Sequence, residues 1–446
     1  MPQIKLTQQQ IVIIAIGAVI VLGFGALVLL NGQKKTGSAA APAVTLNVWG
    51  TDDKTAFNSL ITYYEQYNPS AKITYTQIDP ADYNNELLHA FAEGSGPDVF
   101  EIGDHAVPKW QSVLAPLPAA YYAQFGPLQL ENDFPSVVQS DFMVSSTATT
   151  SGIYGLPLSI DTLAMFYNKD LFDSAGIAGP PATWDAFEAD VQKLRTENAG
   201  GQITQAAAAL GGSEISIPDA PDILSLLMLQ NGTQMVSDDL SAAKFAGDST
   251  SAGVSAFNFY LQFANPSSPY YTWNDAIGND VQAFVNKQVA IIFGYHDDLS
   301  TIQAKAPFIN IGIAAVPQPT GAAVSVSYPK YNGLAVYKNS PSVIAAWQFI
   351  LTLTAYENGE KIYTDATGEP PALRSAIATD ENDPNLSVFA AQALTACSWY
   401  EIDDSAIDGI FNTAIQNALN GSATTLQSLE QAQSSVTSLM FQAQHQ

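Results

Sequence analysis

The pattern of apolar positions in this chain alternates between the two-residue period of a β-strand and the longer period of an α-helix. Residues 44–49 predict a strand, and residues 54–67 predict a helix whose apolar side chains fall on one face. The alternation continues with strands over 72–77 and 99–102 and with a helix over 83–93. Strands that alternate with helices predict a mostly parallel sheet with helices on both of its faces.

Helical spacing recurs through the remainder of the chain. The segments that show it are 184–198, 222–230, 251–264, 276–287, 342–356 and 405–419. The tail over 421–446 is rich in amides but keeps apolar residues at helical spacing, so it predicts a last helix.

The N-terminus begins with a long apolar run. Residues 11–30 contain no charge and no proline, and 20 residues of helix are enough to cross a bilayer. A cleavable signal peptide has a shorter apolar region, and two lysines separate this run from the small residues over 38–41. The sequence therefore favours an uncleaved transmembrane anchor over 11–30, after a short segment 1–10 and before a linker over 31–43.

Charge and cysteine content limit the partners and the covalent architecture. Three of the 16 basic residues and none of the 42 acidic residues precede residue 44, so the remainder has a formal net charge of −29. Such a surface repels phosphate backbones, which excludes nucleic-acid binding. The only cysteine, Cys397, permits no internal disulfide, and it does not indicate a redox compartment.

Six sequence blocks occur in an order that resembles one protein family. They are LNVW at 46–49, GSGPDV at 94–99, YNKDLF at 167–172, TWDAF at 183–187, FVNKQVA at 284–290, and NGLAV followed by AAWQF within 332–349. Together they resemble extracellular solute-binding proteins of the maltose-binding type. The chain departs from the family at Lys287, where glycine is usual, and at Lys330 and Tyr331, which replace the glycines of a cleft-facing turn.

The resemblance implies an α/β, two-lobe periplasmic-binding-protein-like fold (type II) with an interlobe cleft, here preceded by the transmembrane helix. The expected division is lobe I over 44–158 and 312–355, and lobe II over 159–311 and 356–446. The resemblance implies crossings between the lobes near 159–161, 309–312 and 355–358.

The resemblance also implies a monomeric, membrane-anchored receptor on the extracytoplasmic side of the cell membrane. Such a receptor delivers its ligand to the permease subunits of an ABC importer. It requires no cofactor, no metal and no catalytic residue.

Several polar and aromatic residues of the first lobe are candidates for the ligand site. Thr51, Asp52 and Asp53 follow the first strand together with Trp49, at the strand end where open parallel sheets bind ligands. A simple helix-capping role explains either aspartate equally well. Asp104 follows another strand, at a position where the family bears a carboxylate.

The other candidates follow the crossover between the lobes. Asp161 precedes the buried strand 163–166, where it either turns the chain or accepts a ligand hydroxyl, and the resemblance favours the cleft. In the family an aromatic residue near Tyr295 stacks on a sugar ring, and a polar neighbour adds a hydrogen bond. The candidates for this part of the site are Tyr295, His296, Tyr331, Asn332, Trp399 and Tyr400.

Aromatic faces combined with carboxylates and amides suit the apolar faces and the hydroxyl rim of a sugar. Arginine occurs only at positions 195 and 374, which disfavours a phosphate or a free amino-acid carboxylate as the ligand. The sequence therefore favours a sugar or oligosaccharide. The alternatives are a glycoside hydrolase or another carbohydrate-active surface protein, and a binding protein for a peptide or an amino acid.

Overall fold

The structure is a computed structural model, and it describes residues 44–147, 150–379 and 383–444. The segment 1–10, the transmembrane anchor expected over 11–30 and the linker over 31–43 lie outside the described residues. Within the described ranges, no helix combines the length and the hydropathy that a membrane span requires.

The described residues form the following strands and helices. The strands are β1 Val44–Gly50, β2 Ala71–Gln77, β3 Val99–Gly103, β4 Met143–Thr147, β5 Thr150–Ile153, β6 Gly155–Pro157, β7 Asp161–Thr162, β8 Ala164–Asn168, β9 Thr196–Glu197, β10 Ile203–Ala208, β11 Val289–Gly294, β12 Ile311–Ala314, β13 Pro329–Lys330 and β14 Asn332–Val336. The helices are α1 Lys54–Tyr67, α2 Pro80–Glu93, α3 Val107–Trp110, α4 Pro127–Asp133, α5 Ser136–Phe142, α6 Lys169–Ser174, α7 Trp184–Leu194, α8 Ala220–Gln230, α9 Ala252–Gln262, α10 Asp280–Val285, α11 His296–Lys305, α12 Val343–Thr354, α13 Glu357–Thr367, α14 Arg374–Ile377, α15 Ser387–Ala393, α16 Asp404–Leu419 and α17 Thr425–Gln444.

Two five-stranded sheets organise these elements. The first has the order β2-β1-β3-β14-β6, with β1 parallel to both of its neighbours and β14 antiparallel to β3 and β6. The second has the order β12-β8-β11-β10-β9, in which only β10 and β11 are parallel. The predicted α/β class is confirmed, although the second sheet is mainly antiparallel.

Local sequence signals account for the helices beside the first sheet. Helix α1 begins where the Asp53 side chain accepts hydrogen bonds from the backbone N–H groups of Thr55 and Ala56. Helix α2 begins at Pro80, whose fixed φ suits a first turn, and ends at Gly94 with a φ of 69°. The predicted bounds 54–67 are therefore confirmed, whereas the helix expected over 83–93 begins one turn earlier.

Each sheet lies in a hydrophobic core of its own, which divides the molecule into two lobes. The first core contains the fully buried Trp347 and is built from residues between 46 and 160 and between 331 and 396. The second contains the fully buried Trp273 and is built from residues between 163 and 328, with Phe389 and residues between 399 and 440. Burial of each large apolar side chain stabilises its lobe by about 1.5–3 kcal/mol.

The cores correct the expected division of the chain. Strand β12 pairs with β8 in the second sheet, so residues 312–314 belong with lobe II and not with lobe I. Tyr363, Leu373 and Ile377 are buried in the first core, so the helices after residue 356 begin in lobe I. The physical reason is that α12 packs on the first sheet and that α13 and α14 bury their own apolar residues in the same core before the chain crosses again.

Three short segments join the lobes. The chain leaves the first core at Ile160 and enters the second at Leu163, which agrees with the crossing expected near 159–161. It returns between Tyr328 and Tyr331, and not near 309–312 as expected. The third crossing lies between the first-core Ala396 and the second-core Trp399, and not near 355–358.

Strands β7 and β13 belong to the first two crossings and pair antiparallel with each other, so these two crossings are joined by a two-stranded ribbon.

Candidate functional site

A cavity of about 850 Å³ lies between the two cores. Its walls include Leu158 and Tyr331 from the first core and Tyr295 from the second. Asp52 and Asp104 reach it from the loops that follow β1 and β3, at the carboxyl ends of parallel strands. This volume is toward the upper end of the range for small-molecule sites, about 300–1,000 Å³.

The lining of this cavity is strongly acidic. Among the described residues, ten carboxylate residues line it, and Lys330 is the only basic residue of the lining. The ten are Asp52, Asp53, Glu101, Asp104, Asp161, Asp219, Asp297, Asp298, Glu369 and Asp404. The cavity therefore combines a high density of hydrogen-bond acceptors with a negative field.

Asp52, Glu101 and Asp104, at the ends of β1 and β3, form what we call the Asp104 wall. Glu101 Oε2 accepts hydrogen bonds from the backbone N–H of Thr51 at 2.8 Å and from its hydroxyl at 2.9 Å. Burial and the neighbouring charge of Asp52 nevertheless raise the pKa of Glu101 to about 8. Residue 50 is glycine for a steric reason, since a Cβ there would lie 1.9 Å from Glu101 Oε1.

Asp104 is the least satisfied group of this wall. Its residue is 7% exposed, and its Oδ2 atom has no hydrogen-bond partner. His105 Nε2 is 3.6 Å away, which is beyond hydrogen-bond distance, and that nitrogen also has no hydrogen-bond partner. Burial, followed by the charges of Asp141 and Asp404, raises the pKa of Asp104 well above its usual value.

A second part of the lining, which we call the Lys330 wall, consists of Asp219, Tyr295, Asp298 and Lys330, together with Asp222, which contacts Lys330 and Tyr295. Lys330 Nζ lies 3.1 Å from Asp219 Oδ1 and 3.6 Å from Asp222 Oδ2. Partial loss of hydration in the cleft works against the ammonium, although its side chain is 60% exposed, and the charges of Asp222 and Asp219 raise the pKa of Lys330 above its usual value. Burial raises the pKa of Asp219 to about 6, against the lowering effect of Lys330.

Tyr295 is held within the same wall. Its hydroxyl donates to Asp222 Oδ2 at 2.8 Å, and its backbone N–H donates to Asp298 Oδ2 at 3.2 Å. Lys330 Nζ lies 4.8 Å from the centre of its ring, so one face of the ring already binds a cation. The polar groups of this wall therefore largely satisfy one another.

Asp161 lines the cavity but is fully hydrogen-bonded by the protein. Its Oδ1 accepts from the backbone N–H of Thr162 at 2.7 Å, and its Oδ2 accepts from the backbone N–H of His296 at 2.7 Å. The second bond joins the crossover to the first residue of α11. Burial raises the pKa of Asp161 well above its usual value, and these two bonds lower it.

Tyr331 and Asn332 lie where β13 leads into β14. The Tyr331 hydroxyl donates to Asp141 Oδ2 at 2.6 Å, so this ring is anchored in the first core. Asn332 is exposed and lines both the main cavity and an adjoining one of about 140 Å³. Thr51 lines only the smaller cavity.

The structure thus brings seven of the twelve sequence-predicted residues to the main cavity and Thr51 to the adjoining one. The seven are Asp52, Asp53, Asp104, Asp161, Tyr295, Tyr331 and Asn332. Asp53 is also the N-cap of α1, and its bonds to Thr55 and Ala56 lower its pKa. The capping alternative is therefore confirmed for Asp53.

The other four predicted residues do not line either cavity. Trp399 is 7% exposed and stacks on Phe411 in the second core, with ring centres 6.0 Å apart. Tyr400 packs against the same core, and Trp49 packs against the first. The His296 side chain lies 3.9 Å from Glu369 and contacts the edge of Phe389, although its backbone binds Asp161.

Sequence reasoning missed several residues that line the cavity. Asp297 and Asp298 directly follow His296, and Lys330 precedes Tyr331, so these three were adjacent to predicted positions. Asp404 directly precedes the helix predicted over 405–419. Asp219, Tyr363 and Glu369 carried no signal, because only the folding of distant segments brings them to the cavity.

The sequence and the fold both match known proteins. The family described as bacterial extracellular solute-binding protein matches residues 49–360. A binding protein of Brucella abortus is 25% identical over 365 residues, which cover 79% of this chain and 82% of the relative. The multiple sugar-binding protein of Streptococcus mutans is 22% identical over 331 residues, 73% of each chain.

Among solved structures, the sugar-binding protein MalE of Xanthomonas citri superposes with a TM-score of 0.76 at 19% identity, covering 90% of this chain and 98% of that one. This likeness supports the two-lobe fold. The family match covers well over half of the chain. The protein therefore belongs to the bacterial extracellular solute-binding protein family, whose members are binding proteins and not enzymes.

Proposed function

We propose that this protein is the extracytoplasmic substrate-binding component of an ABC importer and that it binds a sugar or oligosaccharide between its lobes. The carrying observation is the cavity of about 850 Å³ that opens between two separate cores joined by short crossings. Hinge motion at such crossings closes two lobes around a ligand. The permease recognises the closed form, whose population the ligand increases by binding it more tightly than the open form.

The lining supports a polyhydroxylated ligand. The exposed Asn332 amide offers both a donor and an acceptor, and the Asp52 and Asp104 carboxylates accept hydrogen bonds from hydroxyls. Tyr363, together with Leu158 and Leu334, provides apolar surface for the C–H face of a ring. The Streptococcus mutans relative and the Xanthomonas citri neighbour are both named sugar-binding proteins, which supports the same ligand class.

Thermal unfolding of the purified full-length chain tests the proposal with a panel of sugars, oligosaccharides, amino acids and short peptides. Binding to the folded state raises the Tm, and the rise grows with the logarithm of the ratio of ligand concentration to Kd once the ligand is in excess. We expect shifts with saccharides. Shifts only with amino acids or peptides would overturn the sugar assignment.

A matched pair of asparagine variants locates the site in the cavity. Asn332→Ala removes a cleft-facing amide, and we expect it to weaken saccharide binding by about two- to tenfold. Asn58→Ala removes an exposed amide on α1 away from the cavity and should leave binding unchanged. Equal affinities for the two variants would place the ligand elsewhere.

We also propose that residues 11–30 anchor the protein in the membrane. The support is the 20-residue apolar run without charge or proline. The full-length chain should remain in the membrane fraction after carbonate extraction and retain its N-terminal residues in mass spectrometry. A mature chain that begins near residue 40 and is released into solution would contradict the anchor.

A further inference from the structure

The cleft contains far more negative than positive charge. Ten carboxylate residues line the main cavity against one lysine, and that lysine is already paired with Asp219 and Asp222. A neutral ligand that displaces water from this space would strengthen the repulsion among the carboxylates, because electrostatic interactions grow as water leaves. The charge of the lining therefore favours a ligand that brings positive charge.

Many of these carboxylates already have partners within the protein. Asp161 accepts from two backbone N–H groups, and Asp53 caps α1. Glu101 accepts twice from Thr51, and Asp298 accepts from the backbone of Tyr295. Each of these four side chains therefore has at least one hydrogen-bond donor within the protein.

Asp104 is different. It lines the cavity, but only 7% of the residue is exposed. Its Oδ2 atom has no hydrogen-bond partner. Asp141, Asp222 and Asp404 surround it with negative charge, and Lys330 and His105 are the basic groups near it. An unpaired carboxylate in such surroundings costs free energy unless an additional donor arrives.

A metal ion is a poor candidate for that donor. Among residues 44–147, 150–379 and 383–444, no three acidic, histidine or cysteine side chains are placed so that they could hold one ion. The carboxylates are instead spread along the walls of the cavity. A spread of acceptors fits an extended organic cation better than a compact inorganic one.

We infer that the ligand is a cationic saccharide, a sugar that carries a protonated amine, and that its ammonium group binds at Asp104. The inference rests on the proposed function, because the tyrosines and Asn332 bind the neutral part of the same molecule. An ammonium group brings three donors and a full charge to an oxygen that has no partner. Lys330 already binds Asp219 and Asp222, so these two carboxylates are less available to a second cation than Asp104 is.

Three disaccharides test the inference because they differ only in the group at carbon 2. They are the β-1,4-linked disaccharide of glucosamine, its N-acetylated form, and cellobiose. Calorimetric titration of the full-length chain should give at least about tenfold tighter binding of the amine form than of either neutral form. Its affinity should also fall at high salt, whereas that of cellobiose should not.

Asp104→Asn keeps the shape of the side chain and removes its charge. We expect this variant to lose the preference for the amine, because it weakens binding of the amine disaccharide more than binding of cellobiose. Asp173→Asn, which removes an exposed carboxylate on α6, is the control with the same change of net charge. Should Asp104→Asn not fold, the salt dependence of the unaltered protein still decides the question.

The outcomes separate the two proposals. Equal or tighter binding of the neutral disaccharides, or equal preferences in the two variants, overturns the cationic ligand and leaves the sugar-binding function in place. Binding of spermidine without binding of any saccharide overturns both proposals. A response to magnesium or calcium chloride alone overturns the organic cation.

Discussion

The two walls of the cleft contain similar acidic residues in opposite electrostatic situations. On the Lys330 wall, the ammonium group lies between two carboxylates, and the Tyr295 hydroxyl donates to one of them. On the Asp104 wall, Asp52 lies beside Glu101, and Asp104 has an oxygen without a partner. Burial raises the pKa of Asp219 to about 6 beside Lys330, but that of Glu101 to about 8 beside Asp52.

The acidity of a cleft therefore does not by itself identify the groups that bind the ligand. A carboxylate that the protein already satisfies contributes shape and rigidity, and a ligand gains little by displacing its partner. A carboxylate without a partner gains a full charge-assisted hydrogen bond when the ligand arrives. We therefore expect substitutions on the two walls to have different, and in part opposite, effects.

The largest expected effect concerns an aromatic residue that belongs to neither wall. Trp399→Ala should lower the free energy of unfolding by about 3–5 kcal/mol, because the side chain is stacked in the second core. The saccharide affinity of the folded variant should change little. Chemical denaturation measures the first quantity and titration below the unfolding transition the second.

Trp399→Phe is the control, since it keeps a ring against Phe411 and should lose less stability. If Trp399→Ala were as stable as the unaltered protein but bound saccharides poorly, Trp399 would be a ligand-binding residue and not a core residue.

The next-largest expected effect is a difference between the two walls in how the free energy of unfolding depends on pH. Glu101 has a folded-state pKa of about 8, above its unfolded value of about 4.3. Between these values the folded state binds more protons than the unfolded state, so the stability that protonation contributes is lost as the pH rises. The unliganded protein should be more stable near about pH 5.5 than near about pH 8, by on the order of 2 kcal/mol.

Glu101→Gln should reduce this dependence above about pH 7, whereas Asp219→Asn should not, because Asp219 titrates near pH 6. Urea denaturation over this pH range provides the measurement. A free energy of unfolding that is constant or increases toward pH 8 would contradict the raised pKa of Glu101.

The smallest effects should have opposite signs. Asp104→Asn removes a buried carboxyl group whose ionised form its surroundings disfavour, and it should stabilise the unliganded protein by about 1 kcal/mol. Asp219→Asn removes a partner of Lys330 and should destabilise it by about 1 kcal/mol. Denaturation at neutral pH compares the two, and changes of the same sign would remove the distinction between the walls.

Much of the fold could be predicted from the sequence. Helix α1 has a clean apolar face and an aspartate cap, and the order of the six blocks indicated two lobes. The positions of the second and third crossings were predicted wrongly, because β13 has two residues and no periodic pattern and residues 397–398 form no helix or strand. Lys287 has a φ of 58°, a left-handed conformation that explains why glycine is usual there in the family.

The site was less predictable than the fold. Strand ends led correctly to Asp52 and Asp104, since position along a strand is a local property. The partners of each carboxylate are not local, as Lys330 and Asp219 are 111 residues apart. Trp399 was assigned to the cleft by resemblance, but its burial depends on Phe411 and Phe245, whose packing the sequence does not reveal.

The number of protons released during binding tests most directly whether the ligand binds at Asp104. Titration of the glucosamine disaccharide at pH 7, in buffers of different ionisation enthalpy, measures it. An ammonium at Asp104 lowers the raised carboxylate pKa values near it, so we predict release of up to roughly one proton, reduced in Asp104→Asn. Binding without proton release, or with the same release in the variant, would contradict the account.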